Sequence, residues 1–299
     1  MSPPQWLLLA FLSVLWGASF LFVGIAIAEL PSFTLVLARV SLAALLLLPV
    51  LAAMGLGLPR RVADWQPFLV MAILNNVTPF MLIVTGQREI ASGLASVLNA
   101  TTPLFTLLVA RLAIPGEMLD WTKLAGVLLG VLGVAVLMGP EALLGRSSSL
   151  AGMALCLAAS LSYGCAGVWG RRLRATPPLV SAVAQLLCST ALLAPLACLL
   201  DAPWALPMPG ARTLLAVLGL AGLSTALAYV VFYRILAVSG PANAMLVTLL
   251  IPVSGLWMGA TFLGETILSR HLAGAAIIAA SLLVIDGRLL ASARRRALQ

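Results

Sequence analysis

Apolar residues gather along the chain in ten long runs: Gln5–Ala28, Phe33–Ala53, Trp65–Gly86, Ile90–Leu112, Trp121–Gly139, Leu150–Gly170, Pro178–Leu200, Arg212–Leu236, Ala242–Leu263 and Leu268–Leu289. A helix needs about 20 mostly apolar residues to cross a hydrocarbon core roughly 30 Å thick. Between the runs lie short connections with turn chemistry, such as Gly57-Leu58-Pro59-Arg60-Arg61, Ser147-Ser148-Ser149 and Pro207-Met208-Pro209-Gly210. None is long enough to hold a domain outside the membrane. Backbone polar groups in lipid must be satisfied within the segment or in a closed barrel, and a barrel would alternate apolar with polar positions. The pattern therefore predicts an all-α integral membrane protein with ten transmembrane helices.

The first run ends in Ala26-Ile27-Ala28, which resembles a signal-peptidase site. A secretory signal carries a basic leader and an apolar core of about 7–15 residues. Here the first basic residue is Arg39 and the apolar run is longer, so the segment reads as a retained span.

Composition agrees. Hydrophobic residues make up 62% of 299 positions and charged residues 9%, against about 45–50% and about 25% in soluble domains. The net charge of +8 is not a nucleic-acid signal, because the cations sit between apolar runs and form no aromatic-interleaved stripe. They sort by side instead. Twelve Lys and Arg (Arg60, Arg61, Arg111, Lys123, Arg171, Arg172, Arg174, Arg234, Arg288, Arg294, Arg295, Arg296) fall on the face that holds both termini. Four (Arg88, Arg146, Arg212, Arg270) fall on the other, which predicts cytoplasmic termini. Cys156, Cys165, Cys188 and Cys198 form no CxxC pair and read as buried packing residues, with no metal site and no cofactor expected.

The chain resembles itself at a shift of about 147 residues. Trp16-Gly17 falls on Tyr163-Gly164, Gly93-Leu94-Ala95 on Gly240-Pro241-Ala242, and Pro103 on Pro252 after a small insertion. Gly116-Glu117 then matches Gly264-Glu265, and Lys123-Leu124-Ala125-Gly126 matches His271-Leu272-Ala273-Gly274. Residues 1–147 and 148–299 are thus expected to be two five-helix repeats. Five is odd, so the second copy enters from the opposite side. The halves are then related by an axis in the membrane plane, a design in which substrate binds near the midplane between repeats.

Ten spans, the five-plus-five repeat, the early Trp16-Gly17-Ala18-Ser19-Phe20 and the paired Gly-Glu ends resemble the drug/metabolite transporter superfamily, EamA type. Within it the chain looks most like bacterial exporters of aromatic amino acids and related metabolites. The resemblance covers nearly the whole chain. It implies a basket-like bundle in the inner membrane around a central cavity lined by spans 1, 3, 4, 6, 8 and 9, with spans 5 and 10 at the periphery.

Polar residues inside spans are costly and usually face the bundle interior. On that ground Asn76 and Thr78 (with Asn75), Asn99 and Thr101 (with Thr102), and Thr248 and Ser254 (with Asn243) are expected to line the substrate cavity. Trp16, Tyr163, Trp169 and Tyr229 join them as deep aromatics. Trp16 and Tyr163, as repeat mates, are expected to face each other. Pro79, Pro103 and Pro252 are expected to break or bend their helices as gates, since proline removes a backbone donor. The competing account is that Ser, Thr and Asn join helices at roughly 0.6 kcal/mol each. Trp6, Trp65, Trp121 and Trp204 fall at span ends as interfacial anchors. Arg39, inside span 2, is expected to snorkel to the interface, with substrate-carboxylate binding as the less favoured role. Glu117 and Glu265 are expected to cap helices or to pair with Lys123 and Arg270. The glycine pairs Gly126/Gly130 and Gly255/Gly259 allow close helix approach, within the chain or between two copies.

All nine Asp and Glu lie at span ends or in loops. A proton-coupled antiporter usually holds a carboxylate in the membrane, so the pattern favours uniport. A single histidine, His271, and no HExxH or Walker A sequence leave little for an enzyme. The sequence therefore predicts a secondary transporter that exports amino acids or similar small metabolites by alternating access, as a monomer or homodimer in the bilayer. The alternatives are a proton-coupled exporter of drugs or organic cations and a channel-like facilitator.

Overall fold

The computed structural model describes residues 2–114, 121–143, 149–244 and 246–286. Glu117, Arg146, Arg288 and Arg294–Arg296 lie outside them, as does the side chain of Lys123. Helices fill the chain: α1 (Pro3–Ala26), α2 (Ser32–Ala53), α3 (Gln66–Ala72), α4 (Thr78–Gly86), α5 (Ser92–Asn99), α6 (Thr102–Ala113), α7 (Trp121–Leu143), α8 (Leu150–Trp169), α9 (Pro178–Leu200), α10 (Ala211–Leu218), α11 (Ala228–Ala244), α12 (Val247–Leu263) and α13 (Ser269–Asp286). Seven helical segments have the length and apolarity of spans, and the shorter apolar helices Leu124–Gly139, Val247–Leu263 and Ser269–Ile285 complete the ten predicted positions. Prolines open several helices at positions where no donor is needed, among them Pro3 in α1 and Pro178 in α9.

Span 3 runs through α3, a π-helical turn at Ile73–Val77 and α4. Span 8 runs through α10, a longer π-helical stretch at Gly219–Leu227 and α11. The repeat shift of 147 carries Ile73–Val77 onto Leu220–Ser224, so the two wide turns occupy equivalent places. Span 4 is broken between α5 and α6. Pro103 removes the N–H that would have reached the Asn99 carbonyl, and the Thr102 hydroxyl donates to that carbonyl instead, at 2.8 Å. At Pro79 the span widens into the π turn without breaking, and at Pro252 α12 runs on uninterrupted. Of the three prolines expected to break helices, Pro103 alone does so.

The packing is that of two exchanged halves. Helix α1 packs on α12, and its counterpart α8 packs on α6; α2 pairs with α9, and α7 with α13. The close contacts repeat residue by residue. Gly17 lies against Ser254 and the backbone of Gly255, while Gly164 lies against Phe105 and Thr106, where a Cβ would come within 2.9 Å of backbone. Gly126 faces Ser281 and Ile285; Gly274 faces Gly133 and Leu137. The shift of 148 relating Gly126 to Gly274 also relates Gly133 to Ser281 and Leu137 to Ile285. The glycine faces of α7 and α12 are thus filled within the chain: Gly130 meets Leu104, and Gly255 meets Ser96.

One face of the bundle, opposite the start of α1 and the end of α13 and here called distal, is tied together by carboxylates. Glu29 accepts the Gly210 N–H at 2.7 Å before α10, and Asp201 accepts the Thr34 N–H at 2.7 Å in the first turn of α2. Glu89 accepts the Gly152 N–H at 3.1 Å in α8, and Glu265 accepts those of Ser92 and Gly93 at 2.6 and 2.8 Å in α5. The first-turn donors of a helix have no intrahelical partner and attract negative charge. Four helices entering from this face are therefore capped in trans, each by a side chain from another loop. Glu265 has the capping role expected of it. Arg88 adds bonds to the Ile27 and Leu30 carbonyls at 3.1 and 2.8 Å. These contacts bring the ends of α1, α4, α9 and α12 to the starts of α2, α5, α8 and α10. The first helix of the second half thus begins on the face where the first helix of the first half ends, which is the inverted arrangement.

Candidate substrate site

Polar side chains converge where spans 3 and 8 widen. The Asn75 amide donates to Gln185 Oε1 at 3.0 Å, the Asn76 amide to Ser189 Oγ at 3.0 Å, and the Tyr229 hydroxyl to Asn76 Oδ1 at 3.3 Å. Ser162 Oγ donates at 2.7 Å to the Leu74 carbonyl inside the π turn. A π turn shifts the helical register and offers backbone carbonyls to side chains, and such turns cluster at functional sites. Spans 3, 6, 7 and 8 thus meet in one hydrogen-bonded cluster, with Asn76, Gln185 and Ser189 buried.

Beside it lies Arg39. Its side chain is only 6% exposed, so it does not snorkel to the interface as its sequence position suggested. Nε donates to Thr225 Oγ1 at 3.1 Å, inside the π stretch of span 8, and the guanidinium carbon sits 3.6 Å from the centre of the Phe80 ring. Stacking on the ring face is favourable for a desolvated guanidinium. Tyr163 and Tyr229 pack against the apolar cluster that contains Phe80. Arg39 and Gln185 differ by 146 positions, one less than the repeat shift. One is bonded to the wide turn of span 8 and the other to the wide turn of span 3.

Among the residues expected to line the cavity, Asn76, Tyr163 and Tyr229 come together around this centre. The ring partner of Trp16 is Phe232, at 5.4 Å between centroids, and Phe232 and Tyr233 continue the aromatic row to Tyr229. Ser254 is a helix joint: its hydroxyl donates to the Ser13 carbonyl at 2.7 Å where Gly17 brings α1 and α12 together. Thr101 is buried and donates to the Leu98 carbonyl at 2.6 Å, mending the break in span 4. Trp169 bonds the Pro67 carbonyl at 3.1 Å and stacks under Arg172 at the end of its span, away from the centre. Thr78 follows the π turn directly. Asn99, next to the break, keeps a buried Oδ1 that no donor among the described residues reaches.

Thr248 and Pro252 line a different space, an apolar crevice of about 420 Å³ between α12 and α13 that includes Trp257 and Leu272. Trp257 is 57% exposed there, so the crevice opens to the outside of the bundle. A second hollow, about 580 Å³, lies on the distal face between Glu29, Phe33, Arg88 and Asp201. Cys198 is exposed, unlike the buried role expected for it. Among the described residues no cluster of His, Cys, Asp and Glu could hold a metal.

Sequence reasoning missed Gln185, Ser189 and Thr225. Gln185 and Ser189 lie four apart, one turn on a single face of an otherwise apolar helix, and that spacing was the available signal.

A probable amino-acid metabolite efflux pump of Salmonella typhimurium is 28% identical over 291 residues, 91% of each chain. An uncharacterized inner membrane transporter, YedA, of Escherichia coli K12 is 27% identical over 285 residues, 95% of this chain and 91% of that one. A solved crystal structure at 20% identity superposes with a TM-score of 0.66, covering 93% of this chain and 96% of the other, and shares the fold. The EamA-like transporter family matches twice in succession, over residues 4–139 and again over 150–286, one match for each half. This multi-pass membrane protein belongs to the EamA-like transporter family.

Proposed function

We propose that the protein is a secondary transporter that exports amino acids or similar small metabolites across the bacterial inner membrane, by alternating access and without an ion couple. The observation that carries this reading is the buried polar centre of Arg39, Asn75, Asn76, Gln185 and Tyr229, placed where the two halves meet. Polar groups in the membrane are costly and mark pathways, and this centre gathers an arginine, three amides and a phenol in one place. The relative named as an amino-acid metabolite efflux pump supports the solute class. The excess of Lys and Arg on the face of the termini supports a cytoplasmic assignment for that face.

In this reading the residues 1–147 and 148–299 are the two moving repeats, and the distal carboxylate caps hold the periplasmic side shut. Opening toward the periplasm breaks those caps and lets the bundle close at the other end. Tyr163, and Asn99 at the break in span 4, contact the solute. Arg39 favours solutes with a negative group over organic cations, which sets amino acids above drugs.

Purified protein in liposomes tests the reading. We expect saturable uptake of labelled amino acid and acceleration by unlabelled amino acid inside, a counterflow that a simple pore does not give. Displacement of the solute equilibrium by acidifying one side would replace uniport with proton coupling.

A further inference from the structure

We propose that Arg39 is the receptor for a carboxylate on the transported solute, so that substrates of this protein are carboxylates, zwitterionic or anionic. The inference rests on the transport reading and specifies what its centre recognises.

Arg39 is buried to all but 6% of its surface, inside a span, and carries a permanent charge. Leaving an ion unpaired in such surroundings is strongly unfavourable, so buried charges are paired or serve a ligand. None of the carboxylates whose side chains the structure describes pairs with it. Glu29, Glu89, Asp201 and Glu265 cap helices on the distal face, and Asp64 lies in the short turn Val62–Trp65 at the other end of the bundle.

The guanidinium offers five N–H groups in a planar fork. Nε–H is spent on Thr225 Oγ1, and one flat face is covered by Phe80. These two contacts fix the plane of the fork and leave the two terminal nitrogens, whose parallel N–H groups match the two oxygens of a carboxylate. Phe80 and Thr225 come from spans 3 and 8, one in each half, so Arg39 sits at the seam that alternating access must open.

The geometry also orients the rest of the solute. Tyr163 and Tyr229 pack against the same apolar cluster as Phe80; Tyr229 bonds Asn76 Oδ1, and Asn75 links it to Gln185 Oε1. These are neutral groups with lone pairs, suited to an ammonium or hydroxyl on the same solute. Near neutral acceptors alone a cation gains little, and Arg39 repels it.

The test uses counterflow by the full-length protein in liposomes, with labelled L-phenylalanine, L-leucine and L-threonine as probes. Unlabelled 3-phenylpropanoate, which keeps the carboxylate and lacks the amine, competes in the expected result. L-phenylalaninamide, which keeps the amine and lacks the carboxylate, fails to compete at ten times the concentration. Arg39→Gln raises the half-saturating concentration at least tenfold, and Arg39→Lys, which keeps the charge and loses the fork, raises it less. Should Arg39→Gln not fold, the wild-type competition decides alone. Counterflow in which the amide competes as well as the acid overturns this inference and spares the transport reading. Wild-type protein that moves none of the probes and no other small solute overturns both.

Discussion

Glu265 and Gly93 meet across 172 positions of sequence, the carboxylate Oε2 accepting the backbone N–H at 2.8 Å while Oε1 takes the N–H of Ser92. A side chain from the loop after α12 thus closes the exposed end of α5. Capping side chains contribute about 0.5–2 kcal/mol, and bonds to a charged acceptor lie toward the upper end of that range. We expect Glu265→Ala to cost about 1–2 kcal/mol on this scale and to lower the thermal midpoint in detergent by several degrees. Glu265→Gln, with one amide oxygen, recovers part of the loss. An unchanged midpoint for the alanine variant would remove the distal caps from the account.

Gly17 and Gly164 are repeat mates that hold the same joint. A Cβ at Gly164 meets the backbone of Phe105 and Thr106 at 2.9 Å, and one at Gly17 meets Ser254 Cβ at 2.9 Å and the Gly255 nitrogen at 3.0 Å, which no side-chain rotation relieves. Overpacking costs about 1–3 kcal/mol when the neighbour cannot yield. Gly164→Ala and Gly17→Ala should therefore destabilise by similar amounts. Parallel melting curves of the two variants decide it, and a variant that melts like the wild type would show that its contact gives way.

Asn99 holds a buried carbonyl oxygen with no donor among the described residues. An unsatisfied buried polar group costs about 1–3 kcal/mol, and an apolar replacement of similar shape removes that cost. Asn99→Leu is expected to match or exceed the wild type in thermal stability and to lose most of its transport. Stability and transport falling together would mark Asn99 as part of the packing.

The Asn75–Gln185 bond joins the two halves through spans 3 and 7. Replacing each by Leu, singly and together, gives a cycle whose coupling measures the pair. We expect about 0.5–1.5 kcal/mol, the range for a single hydrogen bond, and a several-fold fall in transport in each single variant at normal membrane expression. Zero coupling together with normal transport would take both residues out of the site.

Much of the fold was legible because a membrane imposes a simple rule, that a span is long and apolar. The ten runs, the repeat and the odd span count follow from residues alone, and Gly17 and Gly164 mark the same joint in both halves. The π turns at Ile73–Val77 and Gly219–Leu227 were not legible, since an extra residue in a turn leaves the hydrophobic pattern of so apolar a helix unchanged. Half of the site was lost for a related reason. Arg39 lies near one end of its span, where reaching the interface is the usual outcome, and its burial depends on Phe80 and Thr225, distant in sequence. Ser254 and Thr101 were placed in the cavity on polarity, but hydroxyls inside membranes bond first to nearby carbonyls, as these do.

Among the described residues the four trans caps lie on one face, and each joins one half to the other. Bonds that latch that mouth tilt the balance of the carrier toward the state in which it is shut. For a carrier that runs down its gradient, such a tilt cannot rectify flux, because detailed balance fixes the ratio of maximal rate to half-saturation constant to be equal from either side. It can only make both quantities larger on one side than on the other. A measured asymmetry in those two constants, equal in ratio and changing as Glu29, Glu89, Asp201 and Glu265 are neutralised in turn, would be the kinetic signature of that latch.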